Sequence, residues 1–222
     1  MPLTKRLFFL LLAAGQAAYA LDIAGVALGS NMQDTRVAVA KANPKLRFTE
    51  IELDEGKGIG LLAKESGHPA IDGPNAGLYD EFVVLLNEAG KVWYAVRNVN
   101  TSSENRIVHR GLVLELMRKY GGPASQSWVA PHVMAITWTT YRSGKMYVGA
   151  ADKGPCGLLS AGGLIPGTTV RMPHPLKPEC GSLVVASLPR VSLDGKIASY
   201  SISVAGAQPM QIEDSKPTSS VR

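Results

Sequence analysis

Two cysteines and four histidines are the residues of this 222-residue chain whose chemistry is most distinctive. Cys156 and Cys180 predict a disulfide in an oxidising compartment, where an even cysteine count favours pairing. His174 lies between them, so a zinc site formed by the three side chains and a Cys156 nucleophile with His174 as its base are alternatives. No fourth ligand is evident, and nothing near Cys156 indicates a stabilised thiolate. The other histidines, His68, His109 and His132, form no HxH or HExxH pair, so neither a metal nor a cofactor is predicted.

Two glycine-rich stretches superficially resemble catalytic or nucleotide-binding motifs. Gly56–Gly60 follows a predicted strand, but its spacing is GxGxG, and Gly67 and Pro69 come too soon for a crossover helix. Gly157–Gly162 contains Ser160 at the wrong spacing for a GxSxG nucleophile elbow. Both stretches are interpreted as loops, and no catalytic residue is predicted.

The first twenty residues are typical of a secretory signal peptide. Lys5 and Arg6 precede the apolar run Leu7–Ala14, and Ala18-Tyr19-Ala20 forms a small-x-small cleavage site. The run is too short to span a membrane, since spanning takes about 20 apolar residues, and no later stretch is long enough. We therefore expect a periplasmic or secreted protein that begins at Leu21 and has no transmembrane segment.

Composition and charge exclude several classes of protein. With 45% apolar and 18% charged residues, the chain is neither collagen-like, nor a coiled coil, nor wholly disordered. The net charge is +5, and loss of Lys5 and Arg6 lowers it to +3. The basic residues are scattered and not interleaved with aromatics, so a nucleic-acid partner is not expected. The oligomeric state is not predicted.

The first unit of the mature chain, residues 21–100, predicts a helix followed by strands. Ser30 and Gln33 match a capping box for a helix over 31–42, whose buried side would carry Met32, Val37 and Ala40. Residues 48–53 alternate as a strand. Residues 54–80 are rich in glycine and proline and predict a long surface loop, and FVVLL and VWYAV around Gly90 predict a hairpin.

The second unit, residues 101–206, predicts the same order and then a further hairpin. Thr101 and Glu104 match a capping box for a helix over 104–120, which ends at Gly121 and has an apolar stripe of Val108, Leu112 and Leu116, with Ile107 and Leu114 flanking it. HVMAITWTTY and MYVGA predict a hairpin, and SLVVASLPRVSL and IASYSISVA predict another beyond the cysteine-bounded loop. Residues 207–222 predict a disordered tail.

The order of elements predicts an α+β fold. An antiparallel sheet built from β-hairpins would have short helices packed on one face, as a tandem repeat of an α-β-β unit. In that sheet, strand alternation places Met134, Ile136 and Trp138 on the core face. It also groups Val92, Tyr94 and Val96 on one face.

Three residues then become candidates for a binding surface. Alternation assigns Trp93 and Arg97 to the face opposite Val92, and Tyr141 to the face that carries Thr137 and Thr139. If one sheet face is open, Trp93, Arg97 and Tyr141 mark a binding surface, because aromatics and arginine are enriched in hot spots. The alternative is that they are ordinary solvent-edge residues.

Two segments carry a resemblance to a known family. IAGVALGS, with Leu28-Gly29, leads into a short capped helix, and LVLELMRKYGGP covers 112–123. These resemble the family that includes the small outer-membrane assembly lipoproteins and the β-lactamase inhibitor proteins. The resemblance implies an antiparallel sheet with helices on one face and a role in binding protein or envelope components. No cysteine follows the cleavage site, so it does not imply a lipid anchor.

The sequence therefore predicts an exported accessory or inhibitor-like binding protein that engages a protein or an envelope ligand. The alternative is a secreted hydrolase whose catalytic residues are scattered along the chain. A convergent polar pocket with a strongly perturbed titratable group would favour the enzyme.

Overall fold

A computed structural model gives the structure of the protein over residues 21–53, 59–65, 79–158 and 161–207. The helices are α1 (Met32–Ala42) and α2 (His109–Tyr120). The strands are β1 (Asp22–Ile23), β2 (Val26–Ala27), β3 (Leu46–Glu52), β4 (Ile59–Glu65), β5 (Tyr79–Leu86), β6 (Val92–Asn100), β7 (Ile107–Val108), β8 (Ser125–Ala130), β9 (Val133–Tyr141), β10 (Ala161–Leu164), β11 (Arg171–Pro173), β12 (Cys180–Pro189), β13 (Lys196–Ile197) and β14 (Ser199–Gly206). The predicted signal peptide and the tail from 208 onward lie outside the described residues.

Eight of these strands form one antiparallel sheet in the order β3-β4-β5-β6-β14-β12-β9-β8. The other six pair in three small two-stranded sheets, β1-β2, β7-β13 and β10-β11. Strands from both predicted units lie in the large sheet. The α+β class and the antiparallel sheet are therefore confirmed, whereas the tandem repeat stays a prediction.

Both helices pack against one face of the large sheet, which we call the helix face. Val39 of α1 and Leu116 of α2 belong to the same buried cluster as its inward side chains, which are Leu61, Ala63, Phe82, Val84, Ile136, Trp138, Val184, Ala186, Leu188, Ile202 and Val204. Burying such aliphatic side chains stabilises the fold by about 1.5–3 kcal/mol each. The predicted core positions Met134, Ile136 and Trp138 are confirmed on this face.

Helix α1 lies where the sequence predicts it, but its cap and its buried side differ. Asn31, not Ser30, is the N-cap, and its Oδ1 accepts a hydrogen bond from the Asp34 N–H at 2.9 Å. The fully buried residues are Thr35 and Val39, whereas Val37 is 61% exposed. Thr35 can be buried because its hydroxyl donates to the Asn31 carbonyl at 2.8 Å within the helix. The prediction of a buried Val37 and Ala40 is wrong.

Helix α2 begins five residues later than the capping-box pattern predicts. Ser103–Asn105 form a 3-10 turn, and Ile107–Val108 form strand β7, which pairs with β13. Strand pairing therefore places Val108 in β7 and not in the helix, and its side chain is 54% exposed. The predicted end is confirmed, since α2 stops at Tyr120 and Gly121 has φ of 84°.

The hairpins are confirmed in two of three places. β5 pairs with β6, and β12 pairs with β14. β9, however, pairs along its length with β8 and β12, while its predicted partner supplies only a bridge between Thr140 and Met146. The predicted surface loop over 54–80 is wrong for Ile59–Glu65, which form the buried strand β4; most of the remainder lies outside the described residues.

Candidate functional site

The second face of the large sheet is partly covered by a segment that we call the roof, residues 150–158 and 161–178, which contains most of the described part of the cysteine-bounded loop. Ile165 and Val170 of the roof are 1% and 5% exposed and pack in a cluster with Trp93, Tyr94 and Val96 on the sheet. The predicted disulfide is confirmed, with 4.5 Å between the Cα atoms of Cys156 and Cys180. It attaches the roof to the start of β12, which is a central strand.

Between roof and sheet lies a groove of about 520 Å³. Its floor comes from β6, β14, β12, β9 and β8, and its described lining residues are Tyr94, Val96, Asn98, Ser127, Val129, Ala135, Thr137, Ala151, Gly157, Leu158, Thr169, Val170, Arg171, Pro173, Leu183, Val185, Ser187, Ser201 and Ser203. This volume is in the usual range of small-molecule sites, about 300–1,000 Å³. The second face is therefore a concave site rather than an open flat surface.

The floor of the groove is ordered into rows by the sheet register. Directly paired residues place Ser127, Ala135, Ser187, Ser201 and Asn98 in one row across five strands, which we call the polar row. Two rows further along the strands, Leu183, Ala205 and Tyr94 are paired in a mainly apolar row, whose one hydroxyl belongs to Thr139, the partner of Leu183 on β9. Same-face residues repeat every second position, so the two rows lie about 13 Å apart. The floor thus changes from hydroxyl-lined to apolar along the strand direction.

A buried carboxylate ties the roof to one end of the polar row. Glu81, 1% exposed, accepts hydrogen bonds from the Thr169 hydroxyl at 2.6 Å and from the Thr169 N–H at 3.3 Å. Asn98 Nδ2 donates to Glu81 Oε2 at 3.4 Å, and the Ser201 hydroxyl donates to Asn98 Oδ1 at 2.6 Å. These contacts connect β5, β6 and β14 with the roof, so they fix the position of the roof relative to this end of the sheet.

The electrostatics of the groove are simple. Arg171 is the one charged side chain among the described lining residues, and its Nη1 donates to the Gly162 carbonyl at 3.2 Å. Tyr94 contributes a neutral phenol at physiological pH, and burial raises its pKa still further above that range. The groove thus presents neutral hydroxyl and aliphatic groups and a single positive charge.

The hydroxyls that line the groove lack the partners that a serine or threonine nucleophile needs. The described lining of the groove has serine and threonine hydroxyls but no histidine or carboxylate to act as their base. His174 and Asp152 line a second cavity of about 290 Å³ beside Cys156, which adjoins the groove at Gly157 and Leu158. Because Cys156 is held in the disulfide, it supplies no thiol to act as a nucleophile or zinc ligand, and the described residues contain no cluster that could hold a metal ion.

The structure does not bring Trp93, Arg97 and Tyr141 together on an open face. Trp93 is 6% exposed beneath the roof. Arg97 lies on the helix face, where its Nε and Nη2 donate to Asp80 at 2.9 and 2.7 Å and its guanidinium stacks over Phe82. Tyr141, 38% exposed, ends β9 beside Tyr147.

A β-bulge explains why the alternation fails in β6. Leu85 pairs with Tyr94 and Leu86 pairs with Val92, so Trp93 is an extra residue that reverses the phase of the strand. Val92 therefore packs in the helix-face cluster, whereas Trp93, Tyr94 and Val96 share the groove face. The predicted grouping of Val92 with Tyr94 and Val96 is wrong for this reason.

Sequence reasoning missed most of the groove. One usable signal was the alternation of Ser199, Ser201 and Ser203 with larger residues in β14, since it predicts a strand with one hydroxyl-bearing face. The same pattern in β9 did place Thr137 and Thr139 opposite the core. The pairing of these strands into one polar row depends on contacts between segments far apart in the chain, which local patterns do not encode.

No family model, curated protein or solved structure matches this chain. No helix in the described part of the chain is long and apolar enough to cross a bilayer.

Proposed function

We propose that this chain is an exported accessory binding protein that holds an envelope-derived small molecule in the groove between the roof and the sheet. The observation that carries the proposal is the ordered floor, in which four of five paired strands contribute a hydroxyl or amide side chain to one row and the fifth contributes Ala135. Concave, mostly apolar sites with a few placed polar groups are the usual form of small-ligand sites.

Two further features support this proposal. The disulfide favours an oxidising compartment, which agrees with the signal-peptide pattern and with export to the periplasm or the medium. The roof is crosslinked at Cys180 and hydrogen-bonded at Thr169, so the groove is preorganised before a ligand arrives. Preorganisation raises affinity because less conformational entropy is lost on binding.

The same features favour a small ligand over a protein surface. A stable protein interface needs about 800 Å² from each partner, and the roof covers the middle of the sheet face that a flat partner would use. The binding role is the one that the resemblance to the assembly lipoproteins and inhibitor proteins implies. The hydrolase is not proposed, because no described lining residue can act as its general base.

A groove-filling substitution tests the proposal with a fluorescent apolar anion. Ser187 lies in the polar row and is partly exposed, so Ser187→Phe fills the groove without burying a new residue in the core. Thr49→Phe is the matched control, because Thr49 lies on the same sheet face but on the distant edge strand β3. We expect 1-anilinonaphthalene-8-sulfonate to bind the wild type and Thr49→Phe equally, and Ser187→Phe at least about tenfold more weakly.

Two results would contradict the proposal. Equal binding of the fluorophore by Ser187→Phe and the wild type would show that the dye does not enter the groove. A partner protein recovered equally well by both variants, with no small ligand, would establish a protein-binding role at another surface. Circular dichroism and urea unfolding of each variant check that the fold is intact.

A further inference from the structure

Two nearly buried residues of the groove floor carry hydroxyl groups. Thr137 and Ser203 are 4% and 7% exposed and line the groove in the row next to the polar row. Neither oxygen is among the fully buried, unpartnered hydroxyls of the described residues, which are those of Ser125 and Thr139. A hydroxyl that lines a groove can exchange its hydrogen bond to water for one to a ligand, and a ligand placed to make that bond gains affinity.

The rows of the floor define how polar groups must be arranged on a ligand. Strands lie about 4.8 Å apart, so the five-strand polar row is roughly 19 Å long. A molecule that lies along it meets the polar row first and then Thr137 and Ser203 in the next row, whereas Leu183 and Tyr94 lie beyond them, about 13 Å from the polar row. Such a ligand has its polar groups along one side of an apolar body, which is the property called facial amphipathicity.

The charge of the site restricts the ligand further. Arg171 contributes a positive charge from the roof, and it is the only charged side chain among the described lining residues. The nearby carboxylate of Glu81 lies behind the lining, where Thr169 and Asn98 donate to it. One guanidinium N–H donates to the Gly162 carbonyl, which leaves others to bind an acceptor. A single anionic group on the ligand is complementary to this arrangement.

We infer that the groove takes a facially amphipathic monoanion, a rigid apolar body with hydroxyl groups along one edge and one carboxylate or similar anion. This inference rests on the proposed function, because it names the chemical class of the ligand in the same groove. The hydroxyl edge pairs with Thr137, Ser203 and the polar row, and the anion pairs with Arg171.

Three related probes separate the contributions. Cholate carries hydroxyls on one face and a carboxylate. Lithocholate keeps the ring system and the carboxylate but has fewer hydroxyls, and cholate methyl ester keeps the hydroxyls without the charge. Below their micelle concentrations, titration calorimetry of the full mature chain should give the tightest binding for cholate, by about two- to tenfold per lost interaction.

Matched variants assign each preference to a residue. Thr137→Val keeps the side-chain shape and should remove the preference for cholate over lithocholate, while Arg171→Gln should remove the preference for cholate over its ester. Thr139→Val is the control, because Thr139 lies two residues away on the same face of β9, is 1% exposed, has an unpartnered hydroxyl and does not line the groove. It should leave all three affinities unchanged. Urea unfolding should show both valine variants at least as stable as the wild type.

Distinct results would overturn the inference or the function beneath it. Equal affinity for cholate and lithocholate, or a cholate affinity that Thr137→Val leaves unchanged, contradicts the ligand class. If the fluorophore binds the wild type but not Ser187→Phe, the groove remains a binding site and only the inferred ligand class is wrong. If neither the steroids nor the fluorophore respond to the groove variants, the proposed function fails as well.

Discussion

Removing the disulfide should destabilise the protein by an amount set by the length of the loop it closes. The sequence separation of Cys156 and Cys180 is 24, so the crosslink closes a loop of about 25 residues counting both ends. Chain-entropy reasoning gives a loss of about 12 cal/mol/K in the unfolded chain, or about 3.5 kcal/mol at 25 °C. Both cysteines are buried, so alanine replaces them with less disturbance than serine, which would bury a hydroxyl.

The double variant Cys156→Ala/Cys180→Ala should still unfold cooperatively, but at a lower urea concentration. With a urea m-value of about 2–3 kcal/mol/M, a loss of 3.5 kcal/mol lowers the midpoint by about 1–2 M. The reduced wild type is the matched control and should lose nearly as much stability. Thiol titration of the oxidised protein should find no free cysteine, because both are in the bond.

Hydrogen exchange locates the effect. Without the crosslink, the roof is held only by noncovalent contacts such as those of Ile165, Val170 and Thr169. In the variant its amides should therefore exchange faster, while the amides of the helix-face core stay protected. A midpoint change equivalent to less than about 1 kcal/mol would refute the reasoning, since the crosslink would then not restrict the unfolded chain. Loss of protection in the helix-face core as well as the roof would also refute it.

Three other predictions follow from the structure. Thr169→Val should lower the free energy of unfolding by about 1.5–3 kcal/mol in the wild type, because it removes a hydrogen bond to a charged group. In a Glu81→Gln background the loss should be at least about 1 kcal/mol smaller, which a double-mutant cycle by urea unfolding measures. Burial raises the pKa of Tyr94 and, with help from the Asp22 charge, that of Tyr120, so the unfolded chain loses these protons first and stability should fall above about pH 10. Urea midpoints from pH 9 to 11 should show a shallower fall in Tyr94→Phe. Intact-mass measurement of exported material should give a chain that begins at Leu21.

The elements that local patterns predict correctly are those whose sequence signal and tertiary environment agree. β5, β6, β12 and β14 are apolar runs separated by turn residues, and they pair as predicted. The disulfide was predictable because only one pairing exists and export favours it. Strand β4 was missed because the glycines before Ile59–Glu65, and the glycine and proline after it, outweighed a short apolar run. Its place between β3 and β5 depends on pairing rather than on local propensity.

The start of α2 shows the same limit. Thr101 and Glu104 match a capping box, yet the structure places β7 after them because Ile107 and Val108 pair with β13 almost ninety residues later in the chain. A hydrogen-bonded partner strand overrides a weak local preference, since helix propensities differ by only a few tenths of a kcal/mol per residue. The phase change at Trp93 likewise arises from pairing with β5, which alternation within β6 cannot reveal.

The contrast between the two sheet faces is the strongest structural argument for a ligand. The helix face is filled with aliphatic and aromatic side chains, and its Arg97 forms a bidentate salt bridge with Asp80. The groove face instead carries hydroxyls at Thr137 and Ser203 in positions where valine or alanine would pack without a polar atom to satisfy. Folding alone favours the apolar residue at such sites. Thr139 departs from that preference outside the groove as well. The hydroxyls that line the groove differ from that of Thr139 because a ligand of the proposed kind could reach them and complete their hydrogen bonds.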